Sequence, residues 1–253
     1  MKSPGPQRVA PPPAPADVGI VMALPLEAGY LLDALSKVRK YSAGTHSVVE
    51  GELGGKLVAV IVAGMGEASA AKGAERLLAG HRPRRLISAG FGGGLDPSLS
   101  RNDLVLPREV ASLDGDVLEV NPDVPEIPGV RRQGGRLLTV DRVITAAAEK
   151  DELRRSRGAD VVDMETAALA KFARDRAIRF HPIRIISDDA VTELPPEVAR
   201  LMTHSGSYRV GVALRAIWNR PAAIKDFLSL HARALECADR LASGVTRLLE
   251  ALP

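Results

Sequence analysis

Short apolar runs alternate along this chain with segments whose apolar residues recur at helical spacing. The run DVGIVMAL, residues 17–24, is too short for a free-standing helix and predicts a buried strand. In PLEAGYLLDAL, Leu31, Leu32 and Leu35 have helical spacing, and Pro25 stands near the start, where its missing N–H is tolerated. THSVVEGELGGKLVAVIVAG reads as two strands turning at Gly54-Gly55. GEASAAKGAERLLAG predicts a helix closed by Gly80. RRLISAG predicts the next strand, and FGGGLDPSLSRNDLVLP a glycine-rich loop leading into another. Residues 114–135 are rich in Pro, Gly and charge, and predict a long loop or lid. A strand in GRLLTVDRVI, a helix in TAAAEKDELRRSRG, a strand in ADVVDM, a helix in ETAALAKFARDRA and a strand in RFHPIRIISDDA follow. From 194 onward the pattern is helical, with breaks at THSGS and NRP.

This alternation predicts an α/β fold: one three-layer α/β/α domain with a central mixed, mostly parallel sheet. The length, 253 residues, and an apolar share of 45% suit such a domain. The opening MKSPGPQRVAPPPAPAD is proline-rich and lacks the apolar core of a signal peptide. Residues 1–16 are therefore expected to be a disordered leader, and 17–253 the domain. No stretch reaches the roughly 18 apolar residues of a membrane span, so a cytoplasmic protein is expected. The single cysteine, Cys237, excludes an intramolecular disulfide. The five histidines are scattered singly, so no metal is expected. A net charge of +3 and a pI of 9.2 raise nucleic acid as a partner. The basic residues are dispersed, however, and only 3% of residues are aromatic, which leaves few platforms for base stacking. No nucleic-acid partner is expected.

In such sheets, ligands bind beyond the carboxyl ends of the strands. Glu27 follows the first predicted strand, Gly64 and Gly66 the third, and Gly90 to Gly94 the next. Asp163 and Glu165 follow ADVV, and Asp188 and Asp189 follow IRIIS. All can face one crevice. Each has a plainer explanation as well: an acid at a helix start meets the positive end of the helix dipole. Gly64-x-Gly66 lacks the third glycine of a dinucleotide fingerprint, because Ser69 stands there. The glycines still let a sugar or an anion approach the backbone, or they form a tight turn. Four glycines among residues 90–94 leave room for a flat group. Arg184 lies inside an apolar strand, about 13 Å below Asp188 at roughly 3.3 Å per residue. It needs an acidic or hydrogen-bonding partner, and Glu27 or Glu165 is expected to supply one.

GIVMALPLEAGYLLDAL, VAGMGEASAAKGAERLL, LISAGFGGGLDPSLSRNDLVLP and VVDMETAALAKFARDRAIRFHPIRIISDDA occur in this order. Together they resemble the nucleoside phosphorylase and nucleosidase superfamily, especially 5′-methylthioadenosine/S-adenosylhomocysteine nucleosidases. The resemblance covers roughly residues 17–192 and implies roles by matched position. Glu27, with Arg184, would hold and activate the attacking water. Met164 would pack on the ribose, Glu165 would accept the ribose hydroxyls, and Asp188 would protonate the purine at N7 beside Ser187. Asp163 would be a supporting acid. Gly64, Gly66, Gly90, Phe91 and Gly92 would line the substrate site, and Val143 stands where the nucleosidases have a base-stacking phenylalanine. A purine nucleoside as ligand, no cofactor and a homodimer or higher homo-oligomer are implied too.

The chemistry fits these residue types. Cleaving an N-glycosidic bond builds positive charge on the ribose and negative charge on the departing base. A carboxylic acid at N7 neutralises the base, and a carboxylate near the sugar stabilises the cation. Asp188 must carry a proton to act, so its surroundings are expected to favour the neutral acid. The sequence also departs from the resemblance. Phe91 replaces a small polar residue, and ALPLEAG stands where phosphorylases carry a Gly-Asp-Pro-x-Arg loop. Residues 193–236 form an extra helical segment. Its LPPEV and NRP are more similar to the hopanoid-associated enzymes that release adenine from adenosylhopane. Hydrolysis of a 5′-modified adenosine is the expected activity. A phosphorylase, an adenosylhopane-type enzyme and a non-catalytic purine-nucleoside-binding protein are the alternatives.

Overall fold

A computed structural model describes residues 13–121, 124–195 and 223–253. The elements run β1 (Val18–Met22), α1 (Pro25–Asp33), β2 (Ser36–Ala43), β3 (His46–Leu53), β4 (Lys56–Val62) and α2 (Glu67–His81). Next come β5 (Arg85–Gly94), β6 (Leu104–Leu106), β7 (Glu109–Ser112), β8 (Val117–Glu119), β9 (Arg132–Gln133) and β10 (Arg136–Thr139). The chain continues with α3 (Ala147–Arg157), β11 (Val161–Asp163), α4 (Thr166–Asp175), β12 (Arg179–Asp188) and α5 (Ala223–Ala251).

The strands form one mixed sheet in the order β2-β3-β4-β1-β5-β11-β10-β7-β8, while β12 pairs with β5 and β6, and β9 with β6. β4, β1, β5 and β12 are mutually parallel neighbours and form its centre. Their apolar residues divide by parity, as the two-residue period of a strand requires. Val18, Ile20 and Met22 of β1 join Ile183 and Ile185 of β12 in a core with Leu31 of α1 and Leu241, Val245 and Leu248 of α5. Val21, Ile61 and Ile186 face the other way, onto Ala74 and Leu77 of α2 and Leu169 and Phe172 of α4. The sheet is thus covered by helices on both faces, and its central strands read as continuous apolar runs.

The structure departs from the sequence reading in several places. The glycine-rich segment 90–94 is the second half of β5, not a loop. Gly93 and Gly94 pair antiparallel with Val162 and Val161, so the run is held in the sheet on both sides. The described residues of 114–135 are mostly a long connection, as predicted, but not a lid. They contribute β8 and β9, and Val124 and Ile127 are buried in the core beside α1 and α5. β2 is an unpredicted edge strand, largely exposed and polar, so no alternation marks it. Helix α2 runs through Gly80 and ends at Arg82, in left-handed conformation, just before Pro83. Residues before 17 also pack on the domain: Ala16 is buried, and its N–H donates to the His81 carbonyl. The hairpin at Gly54-Gly55 is as predicted, with positive φ at both residues (55° and 74°), as a two-residue turn of that hand needs. The breaks at THSGS and NRP lie outside the described residues.

Candidate active site

The exits of β1, β4 and β11 meet the middle of β5 and β12 at one narrow cleft, lined by Glu27, Gly64, Ser88, Gly90, Glu165 and Arg184 among others, while Asp188, at the exit of β12, is not among the lining residues. Its floor is an ion pair. Arg184 is 2% exposed, and its Nη2 donates to Asp163 Oδ2 at 2.6 Å. Nε donates to the same oxygen at 3.1 Å. Nη1 donates to the carbonyls of Ser88 and Ile183 at 2.8 and 2.9 Å, and Nη2 also reaches the hydroxyls of Ser88 and Thr166. Asp163 accepts in turn from Thr139 Oγ1 at 2.7 Å and from the Thr166 N–H and hydroxyl. Both buried charges are therefore fully hydrogen-bonded, the condition under which such a pair is tolerated. The expected partners of Arg184, Glu27 and Glu165, are not the ones it binds. Asp163 is nearer because β11 runs beside β5 and ends level with the guanidinium.

Glu27 sits in the first turn of α1, with Pro25 at the helix start. Its Oε2 accepts the N–H groups of Ala23 (3.1 Å) and Leu24 (2.9 Å), donors that a helix N-terminus leaves unpaired. Its Oε1 crosses to β5 and accepts the Phe91 N–H at 2.8 Å. This approach requires Gly90, because a Cβ there would lie 2.9 Å from Glu27 Oε1. Gly92 serves the same end for the neighbouring strands: a Cβ would meet Val161 at 2.8 Å and Arg184 Cβ at 3.4 Å. Burial raises the Glu27 pKa, opposed by the Phe91 and Leu24 amides, by the Arg184 charge and by the Ala23 amide.

Glu165 precedes the first residue of α4, yet its carboxyl leaves that helix. Oε1 accepts the Gly66 N–H at 2.7 Å, at the start of α2. Gly66 adopts φ +85°, which favours glycine and aims its amide into the cleft. Burial first, then the Asp163 charge, push the Glu165 carboxyl up to about 8, against the Gly66 N–H and Arg184. Asp188, the last residue of β12, has a different setting. Ser187 Oγ donates to Oδ1 at 2.6 Å, and Lys150 Nζ, on α3, donates to Oδ2 at 2.5 Å. Lys150 and Asp188 thus form a buried ion pair. The sequence reading expected surroundings that favour the neutral acid; the group that the structure places against this carboxyl is the Lys150 ammonium.

The family model described as the phosphorylase superfamily matches residues 17–131 and 123–251. The chain belongs to the phosphorylase superfamily. A 5′-methylthioadenosine/S-adenosylhomocysteine nucleosidase of Baumannia cicadellinicola subsp. Homalodisca coagulata is 28% identical over 197 residues, 68% of this chain and 86% of the relative. Solved structures share the fold. A Streptococcus pneumoniae 5′-methylthioadenosine/S-adenosylhomocysteine nucleosidase with a transition-state inhibitor superposes with a TM-score of 0.72 at 17% identity, over 93% of this chain and 99% of that one. The Neisseria meningitidis enzyme with methylthio-immucillin-A gives 0.66 at 22% identity, over 93% and 99%.

In this superfamily member, the predicted residues gather unevenly. Glu27, Gly64, Gly90, Glu165 and Arg184 line the cleft directly. Gly66 and Phe91 join it through their amides, and Gly92 lies against Arg184 with its carbonyl 3.3 Å from Ser187 Oγ. Met164 is half-buried between Asp163 and Glu165 and packs toward Leu138 and Val162. Val143 is half-buried on the connection from β10 to α3 and does not line the cleft. The sequence reading missed Ser88, Thr139, Thr166 and Lys150. Ser88 carried a usable signal, as a lone small polar residue in an apolar strand. Lys150 carried none: α3 has no apolar stripe from which a buried position could be read. Among the described residues, no group of three or more His, Cys, Asp or Glu is arranged to hold a metal, and no helix is long and apolar enough to cross a membrane.

Proposed function

We propose that this protein hydrolyses the N-glycosidic bond of a purine nucleoside, a 5′-modified adenosine such as methylthioadenosine or S-adenosylhomocysteine, with release of adenine. The similar relatives bear the names of such nucleosidases. In this reading Glu27 takes a proton from water, since burial raises its basicity. Glu165 receives the ribose hydroxyls and stabilises positive charge on the sugar. Asp188 delivers a proton to the base. Arg184 would act from the cleft floor. It neutralises Asp163 and lends its charge to Glu27 across the cleft floor.

One observation favours hydrolysis over phosphorolysis: among the described residues, the Arg184 nitrogens and the Gly64, Gly66 and Phe91 amides, which could meet a phosphate dianion, are already committed. The hydrogen-bonding nitrogens of Arg184 bind Asp163, Ser88, Ile183 and Thr166. The Gly64 N–H donates to the Ala23 carbonyl, the Gly66 N–H to Glu165 and the Phe91 N–H to Glu27. A dianion would have to displace these partners and desolvate beside carboxylates. The test is product identity. The protein is incubated with a panel of adenosine derivatives, with and without phosphate, and the sugar product identified. Free sugar at equal rates in both buffers is expected. A sugar 1-phosphate formed only with phosphate would make the protein a phosphorylase, and binding without base release would make it a binding protein. A homodimer or higher homo-oligomer belongs to the same proposal and is tested by sedimentation.

A further inference from the structure

Lys150 is fully buried, on a helix whose other residues are mostly solvated. An unpaired buried ammonium is expensive, so its surroundings must answer for it. They do so completely: Nζ lies 2.5 Å from Asp188 Oδ2, 2.7 Å from the Asp189 carbonyl and 3.0 Å from the Thr192 carbonyl. An ammonium has three donors and no acceptor, and here all three are used. The turn it grips is itself braced, because Asp189 Oδ1 accepts from the N–H and the hydroxyl of Thr192 at 2.9 and 2.6 Å.

We infer that Lys150 is the source of the proton that Asp188 passes to the departing base. The inference rests on the nucleosidase reading and deepens it. Asp188 meets the Lys150 ammonium as the carboxylate of a buried ion pair, so a proton that it passes on must first reach it. Among the described residues, the side chains within hydrogen-bond distance of its carboxyl are Ser187 and Lys150. Giving up the serine proton would leave an alkoxide. Giving up a lysine proton leaves a neutral amine. The step balances as follows: an Nζ–H bond breaks as an Oδ2–H bond forms, and that O–H breaks as an N–H bond to the base forms. Once the base has left and water enters the site, a water O–H bond breaks as an O–H bond to Asp188 forms, and Asp188 returns that proton to Lys150 Nζ. The buried turn survives this exchange. A neutral amine keeps two N–H groups for the carbonyls of Asp189 and Thr192 and turns its lone pair to the acid, so no buried group is left unpaired. Lys150 is a positioning residue, since it reaches the base only through Asp188.

The test compares Lys150→Met, Lys150→Arg and the wild type on an adenosine substrate and on 4-nitrophenyl β-D-ribofuranoside. The nitrophenolate leaves without a proton, so its release does not need the relay. Both variants are expected to lose adenine release by about 10² to 10⁴ in kcat, the range for one acid–base group, with KM changed only a few-fold. Both should keep turnover of the nitrophenyl riboside. Arginine retains the charge but does not release a proton, so Lys150→Arg separates proton supply from charge. If Lys150→Met fails to fold, Lys150→Arg carries the test alone. If the wild type does not accept the nitrophenyl riboside, the kcat-against-KM split decides. Adenine release within threefold of wild type in either folded variant would overturn the inference, as would equal losses on both substrates. A wild type inactive on every nucleoside would instead overturn the nucleosidase reading, and this inference with it.

Discussion

Glu165 gives the sharpest pH prediction. Burial and the neighbouring Asp163 charge push its carboxyl up to about 8. A carboxyl is neutral below its pKa and charged above it, so in the free protein at pH 7 only about one Glu165 in ten is ionised. If the ionised form is the one that stabilises a cationic ribose, kcat/KM for a riboside must rise with pH. The slope should be about tenfold per unit from pH 6 toward 8, because kcat/KM reports the free enzyme. The perturbation is Glu165→Gln, which keeps the shape and can still accept from the Gly66 N–H but cannot become charged. Its activity should be lower, by about 10²-fold or more on ribosides, and the limb ending near pH 8 should vanish. The same substitution should cost less on 2′-deoxy substrates, which lack one of the hydroxyls. The assay is initial adenine release across pH 6 to 9 with both substrate series. A wild-type profile flat over this range, or equal losses on ribosides and deoxyribosides, would refute the reasoning and leave Glu165 as a link between α2 and α4.

Three further substitutions test other parts of the site. Asp188→Asn keeps the shape of the residue but breaks proton delivery; adenine release should fall by about 10² to 10⁴, while calorimetry shows that nucleoside binding survives. Arg184→Met strands the Asp163 carboxylate in the core and should cost about 3–5 kcal/mol in urea unfolding, much of it recovered in the double variant with Asp163→Asn. Gly90→Ala places a Cβ 2.9 Å from Glu27 Oε1. It should lower kcat/KM by about tenfold or more through misplacement of that carboxyl while thermal unfolding moves little; the reverse pattern would mean that Glu27 only caps α1.

Much of this fold is legible in the apolar runs, because the central strands are covered on both faces. DVGIVM, LVAVIV and IRII leave no other reading at their length, and each is a strand of the parallel centre. The errors fall where local composition misstates tertiary context. Glycine enrichment suggests a loop, yet β5 uses glycine because Glu27, Val161 and Arg184 approach its backbone too closely for side chains. Proline and charge suggest a lid over 114–135, yet two apolar residues, Val124 and Ile127, are enough to fasten that segment to the core. The acids were found because they follow strands. Their partners were not, because pairing depends on which strand lies beside which. Nothing local says that β11 runs antiparallel to the end of β5, and that arrangement gives Arg184 to Asp163.

That allocation explains how four neighbouring carboxyls divide their work. Asp163 is paired with Arg184 and Asp188 with Lys150, each within 2.6 Å. Glu27 and Glu165 hold no ion pair of their own among the described residues; backbone amides are their hydrogen-bond donors. Amides soften the cost of a buried negative charge but do not cancel it, and both carboxyls are accordingly raised. A purely structural cluster would gain by giving these two acids a cation or by replacing them with amides. Two buried carboxyls hydrogen-bonded only by backbone amides in one cleft suit a site that receives a positive charge. In the proposed reaction a ribose losing its base would develop that charge, with Glu165 as the carboxylate that stabilises it and Glu27 as the base for water. Asp163 would then hold the architecture and Asp188 the proton path.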